Sequence, residues 1–289
     1  MIPLYPVALR GIETWAAANG MSVSEAKFRF AQFGVLQAVA GSHILSRDLV
    51  FKGGNALDFV WQPNRSTMDL DFSSHDSTLT GEQITELLTA SLRGASRSTG
   101  VLYRVQRMKQ QPPGASRSFI TFAGSIGYAL PGDRRNHDLL TRGLNSKASV
   151  PIEISLNEPI CGAVNVDVQS ANPLSVCQLE DIVAEKLRAL LQQPIRNRMR
   201  PQDVLDIAVV LREKPALNTD LVAAFLIRKA AAREVPVSKL AFHDEGIRSR
   251  ACDSYDGLKE TTRTVFIKFD VAFASILAFV DRLNIPEHS

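Results

Sequence analysis

The sequence predicts an α+β protein: a mixed β-sheet flanked by helices over residues 1–175, then a mainly α-helical domain over residues 176–289. Three observations predict it. Between residues 49 and 156, short β-prone runs bounded by glycine or proline turns alternate with helical spacing. Beyond Pro173 every long segment has helical periodicity instead. The 289 residues, 45% of them apolar, suffice for one large domain or two smaller ones with a buried core.

From residue 24 to about 45, Phe28, Val35, Leu36 and Val39 keep roughly helical spacing, with Ser22 or Ser24 as N-cap. Leu49, Val50 and Phe51 form a strand that ends at Gly53 and Gly54, and Ala56, Leu57, Phe59 and Val60 open a helix. After a polar loop at 62–66, Met68, Leu70 and Phe72 alternate with Asp69 and Asp71, so residues 68–72 read as a strand with both acids on one face. A helix is expected over 81–92, strands over 99–105, 118–128 and 149–156, and a Pro/Gly turn at 112–114. Helices are then expected over 179–191, 203–211, 220–233 and 261–284.

The net charge is only +3, from 33 basic and 30 acidic residues, so no global field marks a nucleic-acid binder. Basic residues cluster locally: Arg134, Arg135, Arg142 and Lys147 within 133–147, and Arg196, Arg198 and Arg200 within 192–200. Cys161, Cys177 and Cys252 are odd in number and form no Cys-x-x-Cys pair, against a disulfide framework or a zinc site. The five histidines lack metal spacing. The apolar run 271–280 is too short to span a bilayer and residues 1–9 lack a basic start, so a soluble cytoplasmic protein with no membrane partner is expected.

Two elements suit phosphate chemistry. In Lys52-Gly53-Gly54-Asn55, glycines let main-chain N–H groups approach phosphates, and the helix starting near Asn55 offers them its positive end. Asp69 and Asp71, two apart on a strand, project side by side and can share a metal ion. A third carboxylate is sought on a neighbouring strand, where Glu153 is the best placed candidate and Asp167 the competitor. In the helix from Leu179, Lys186 falls on the apolar stripe of Ile182, Val183, Leu187 and Leu190, and an inward lysine needs anions nearby. Asp203 and Asp206 share one side of a helix and either suits such a partner.

Gly54-Asn55, thirteen residues, then Asp69-Leu70-Asp71 resembles the polymerase-β-like nucleotidyltransferases, in which a Gly-Ser turn precedes a carboxylate strand. More specifically, FKGGNALDFVWQPNRSTMDLDF is similar to the AbiEii/AbiGii toxin signature, Lys-Gly-Gly-Thr-x-Leu followed by Arg-x-Ser-x-Asp-x-Asp-Phe. The matching residues are Lys52, Gly53, Gly54, Leu57, Arg65, Asp69, Asp71 and Phe72, with Asn55 departing from the usual Thr or Ser. LEDIVAEKLRALL and RPQDVLDI resemble the family's Leu-x-Asp-x-x-Ala-x-Lys and Arg-x-x-Asp-x-x-Asp-Leu elements.

The resemblance, which extends to MenT-like toxins of type IV toxin–antitoxin systems, implies a nucleotidyltransferase fold. It also implies an NTP substrate, Mg2+ or Mn2+, an RNA acceptor such as the tRNA 3′ end, and a cognate antitoxin of winged-helix type. By the same resemblance Asp69 and Asp71 are metal ligands and catalytic, Glu153 is the candidate third ligand, and Lys186 is catalytic together with Asp203 or Asp206. Lys52, Gly53, Gly54, Asn55, Arg65, Ser66 and Thr67 are the nucleotide-binding residues. Since Lys186 faces inward from the second domain, the active site is expected in the cleft between domains, and Lys186→Ala is expected to impair nucleotide use while sparing the fold. Transfer to a protein hydroxyl or a small molecule, or an inactive NTP-binding protein, are the alternatives. Intact Lys52, Asp69, Asp71 and Lys186 speak against the last.

Overall fold

Ser22 starts the first long helix, its hydroxyl accepting the Glu25 N–H at 3.1 Å. The computed structural model describes residues 5–114 and 118–288; residues 1–4, where the segment read against a leader begins, lie outside the described residues. The chain opens with α1 (Ile12–Ala18), α2 (Val23–Gly41) and α3 (His43–Asp48). Ser42 caps α3 anew, so the single helix expected over 24–45 is two. Two compact units form: one from residues 1–60, 67–158 and 164–176, the other from 61–66, 159–163 and 177–289.

In the first unit, β1 (Leu49–Lys52) leads into α4 (Gly53–Ala56), which loosens into a π-helical stretch at Leu57–Trp61. There follow β2 (Leu70–Ser74), α5 (Gly81–Thr99), β3 (Leu102–Gln111), β4 (Thr121–Ala129), α6 (Arg134–Thr141), β5 (Ser149–Ser155), β6 (Ala163–Val166) and β7 (Leu174–Cys177). The strands make one seven-stranded sheet in the order β3-β4-β5-β2-β1-β7-β6. It is mixed, as expected: β2 runs parallel to β5 and β1 to β7, while the β1–β2, β3–β4 and β4–β5 pairs are antiparallel.

Alternation decides which face is covered. Leu70, Phe72, Phe122, Ile126, Ile152 and Ile154 are buried on the side where α2 and α5 pack. The α5 stripe Ile84, Leu88, Leu92 and Ala95 is buried, contributing roughly 5 kcal/mol or more. Gly34 of α2 lies so close to Tyr103 of β3 that a β-carbon there would overlap the phenol, whose Oη donates to Ala31 O at 3.1 Å. On the opposite face Thr121, Ala123, Ser125, Pro151 and Glu153 remain half-buried or exposed.

Three boundaries differ from expectation for identifiable reasons. β2 begins at Leu70 and not at residue 68, because Gln32 and Asn55 amides occupy the carbonyls of Thr67, Met68 and Asp69 before the ladder starts. A Thr80/Gln83 capping box and Gly100 at φ 72° frame α5 well beyond residue 92, which delays β3 to Leu102. Residues 115–117, after the expected Pro/Gly turn, lie outside the described residues.

The second unit is helical: α7 (Leu179–Leu191), α8 (Gln193–Arg196), α9 (Pro201–Glu213), α10 (Thr219–Ala232), α11 (Glu245–Cys252) and α12 (Phe269–Val280). α7 packs against α9 and α10, and α9 against α12. The helix expected over 261–284 begins only at Phe269. Residues 262–265 are instead held along Asn64, Arg263 N donating to Asn64 O and Val265 N to Asn64 Oδ1, both at 2.8 Å. Among the described residues no helix is long and apolar enough to cross a membrane.

Candidate active site

Sheet register places the predicted residues of the first unit in a row. Lys52 pairs with Asp71 across antiparallel β1–β2, and Asp71 with Glu153 across parallel β2–β5. Laterally paired residues project to the same face, so one cation and two carboxylates stand abreast on three adjacent strands. Asp69 is exposed just ahead of β2 and adds its charge to Asp71. Asp167, the competitor for the third carboxylate, follows edge strand β6 and accepts the Gln169 N–H at 2.7 Å, so the sheet order favours Glu153.

Gly53 is required by this arrangement. Its φ of 74° lies in the left-handed region, and a β-carbon would overlap Asp71 Oδ2 and sit 3.2 Å from Asp71 Cβ and Cγ. The turn and the carboxylate strand are thus in contact through the missing side chain. α4 starts at Gly53, two residues before the expected start, and Gly54 lies within it, half-buried.

Asn55 does something other than face a phosphate. Fully buried, it donates from Nδ2 to Thr67 O at 3.2 Å and Asp69 O at 2.5 Å, holding the approach to β2 against the glycine turn. Its expected contact with a phosphate oxygen gives way to this clamp, which the side chain's burial dictates.

Burial pushes the Asp71 carboxyl up to about 7, with Lys52 opposing and Glu153, Asp69 and Glu158 adding to the rise. Glu158 is the acid that sequence reasoning missed. Its Oε2 accepts from Lys52 Nζ, and from Ser73 Oγ at 3.1 Å. The only sequence signal is Asn157, whose φ of 62° turns the chain after β5, a conformation asparagine tolerates.

Among the described residues no group of three His, Cys, Asp or Glu side chains is placed to hold a metal ion by itself. Asp71 and Glu153, paired across β2 and β5, are oxygen donors of the kind that hold a hard divalent cation together with substrate phosphates.

A second charged group lies inside the other unit. Lys186 Nζ of α7 donates to Asp203 Oδ1 at 2.7 Å and Asp206 Oδ2 at 2.8 Å, both on α9. Arg65 makes a two-pronged contact with Asp206, Nε–Oδ1 3.4 Å and Nη2–Oδ2 3.3 Å. Burial lowers the Lys186 pKa, but the two aspartates outweigh it and hold the ammonium above its ordinary value. Burial likewise raises Asp206, and Lys186 with Arg65 bring it below the ordinary carboxylate range. Both aspartates serve Lys186. The expectation that removing Lys186 spares the fold does not fit this burial: two buried carboxylates would lose the ammonium they share, Asp206 keeping only its longer contact with Arg65.

Ser66 accepts from Arg263 Nη1, and Thr67 Oγ1 is buried without a hydrogen-bond partner among the described residues. On α7, Asp181 pairs with Lys229 of α10 at 2.8 Å and accepts the N–H groups of Cys161 and Gly162 at 2.7 and 3.0 Å. The aspartate of the α7 motif therefore fastens the 159–163 segment to the helical unit. In the same unit Arg196 is exposed; slight burial and then Arg233, Arg198, Arg188 and Arg200 lower its pKa, the mark of crowded guanidinium groups.

Solved structures are similar to this chain, among them the two that follow. MenT4, a nucleotidyltransferase toxin from Mycobacterium tuberculosis, aligns with a TM-score of 0.54 at 16% identity over 94% of this chain and 89% of that one. JHP933 from Helicobacter pylori aligns at 0.52 with 13% identity over 90% of this chain and 91% of that one. At such identities the likeness concerns the fold. No protein of curated function matches by sequence. The family described as "Nucleotidyl transferase AbiEii toxin, Type IV TA system" matches residues 35–279. The chain belongs to the AbiEii family.

An AbiEii protein is a nucleotidyltransferase toxin, and membership implies an antitoxin partner. Nucleotidyltransferases of this kind use an NTP and a divalent metal. The AbiEii match spans both units, from α2 to α12.

Proposed function

We propose that this AbiEii protein transfers a nucleotidyl group from a magnesium-bound NTP to the 3′ hydroxyl of an RNA, such as the tRNA acceptor end, in the cytoplasm. Its antitoxin, in this reading, is of winged-helix type. The observation that carries the proposal is the row Lys52, Asp71 and Glu153 with Gly53 packed on Asp71. Asp69, Asp71 and Glu153 would hold magnesium, which when bound neutralises charge on the reacting phosphates. Lys52 and the N–H groups of the Gly53-Gly54 turn receive the phosphate oxygens. Asn55 holds Asp69 in place through its carbonyl.

In the step itself the acceptor O–H bond breaks, its proton passing to a carboxylate of the row. An oxygen–Pα bond forms as the Pα–O–Pβ bond breaks, and pyrophosphate leaves. On the family resemblance Lys186 is assigned to the reaction, with Asp203 and Asp206 as positioning residues acting through it, and Arg65, Ser66 and Thr67 to the nucleotide. The basic stretch Arg196, Arg198 and Arg200, exposed or half-buried after α7, supports an RNA partner, because such side chains can meet backbone phosphates.

The test is incubation with α-labelled triphosphates and separate pools of RNA, protein and small molecules, with magnesium or with chelator. Label should move to RNA, only with magnesium, and not with Asp71→Ala. Label moving to protein, or transfer surviving that substitution, would overturn the reading.

A further inference from the structure

The face of the sheet away from α2 and α5 continues beyond the carboxylate row. Glu153 of β5 pairs with Ala123 of β4, and Ala123 with Lys109 of edge strand β3. Lys109 therefore belongs to the same row as Lys52, Asp71 and Glu153, about 10 Å from Glu153 at ordinary strand spacing. Two residues along β3, Arg107 stands level with Ser125 and Pro151, about 7 Å from Lys109. Both basic side chains are exposed, and among the described residues neither makes an ion pair or hydrogen bond.

Between them and the carboxylates lies a floor of small residues, Thr121, Ala123 and Ser125, left half-open. The far end is closed by α6: a β-carbon on Gly127 would come within 2.8 Å of Leu140 Cδ2. α6 also carries Arg134 and Arg135, exposed and likewise without an acid partner among the described residues. Unpaired cations along one rim, a flat polar floor, and a carboxylate cluster at the other side fit an extended polyanion whose terminus meets the carboxylates. A folded protein would need apolar anchors, which this floor lacks.

We propose that this open face is the acceptor track: single-stranded RNA lies across β4 and β5, its phosphates held by Arg107 and Lys109, its 3′ end at Asp71 and Glu153. The assignment rests on the transferase reading for what happens at that end, and on the sheet face alone for where the strand binds.

Binding and transfer are therefore measured separately, with a short fluorescent oligoribonucleotide of mixed sequence bearing a free 3′ hydroxyl. Arg107→Ser/Lys109→Ser should weaken its binding about tenfold, and should reduce the slope of log affinity against log salt by about 1.4. Ala123→Leu, which removes no charge, should also weaken binding by obstructing the floor. Arg93→Ser/Arg97→Ser on α5, with an equal charge loss on the covered side of the sheet, should leave binding within twofold. Melting temperatures confirm that each variant is folded. No binding by the wild type, unchanged binding in the Arg107/Lys109 variant, or equal loss in the α5 control would overturn the track. Binding that follows the track while no label is ever transferred would instead sink the transferase reading and leave the track standing.

Discussion

Gly53 and Asp71 touch: the glycine's missing β-carbon is the space that the Asp71 carboxylate occupies. Gly53→Ala should therefore combine a left-handed backbone cost of about 1–2 kcal/mol with displacement of the carboxylate to which the proposed reaction assigns metal binding. The expected outcome is a fall in kcat of about a hundredfold with only a few degrees lost in Tm. Full activity in the alanine variant would show that the contact is dispensable.

Asp71 also sets a pH dependence. With its pKa raised to about 7, the folded chain holds a proton that the unfolded chain releases near 3.8. Folded stability of the chelator-treated protein should thus decline as pH rises from about 4 to about 7 and stay lower above. Asp71→Asn removes that charge, so at pH 8 it should gain about 1–2 kcal/mol in urea unfolding, and near pH 4 almost nothing. A loss of stability at pH 8 would contradict the crowding of acids described above.

Asn55 supports two carbonyls with one amide. Asn55→Ala should cost about 1–3 kcal/mol, since Thr67 O and Asp69 O lose their donor in a buried setting. Because Asp69 is held there, transfer should drop as well, with the KM for NTP rising. Unaltered denaturation would mean that water replaces the clamp without penalty.

Lys186 should prove a pillar of the helical unit. Lys186→Met should destabilise by roughly 3–5 kcal/mol, and adding Asp203→Asn should recover part of that loss by removing a buried charge that has lost its ammonium. Urea unfolding of the single and double variants checks the coupling. Strict additivity would refute a shared network.

Magnesium with NTP should raise the melting temperature by at least about 3 °C at saturating ligand, because a ligand that binds only the folded state stabilises it by mass action. The shift should shrink in Asp71→Ala and in Lys52→Ala. Equal shifts without magnesium would detach the nucleotide from the carboxylates.

The sequence by itself carried local pattern: the alternation of Leu70, Asp71 and Phe72 on a strand, the glycine turn before it, and the inward place of Lys186 on its helix are local signals. It also carried the change from strand-bearing segments to helices after β7. Tertiary structure decided what periodicity cannot encode. Strand order placed β5 beside β2 and so set Glu153 beside Asp71, with Asp167 past an edge strand. Burial turned Asn55 toward backbone carbonyls, a choice its amide leaves open in any sequence reading. Glu158 reaches Lys52 only through a turn after β5, and Arg65 reaches Asp206 across 141 positions of chain. Such contacts join segments whose separation is fixed by packing of the whole chain, and local pattern carries no record of it.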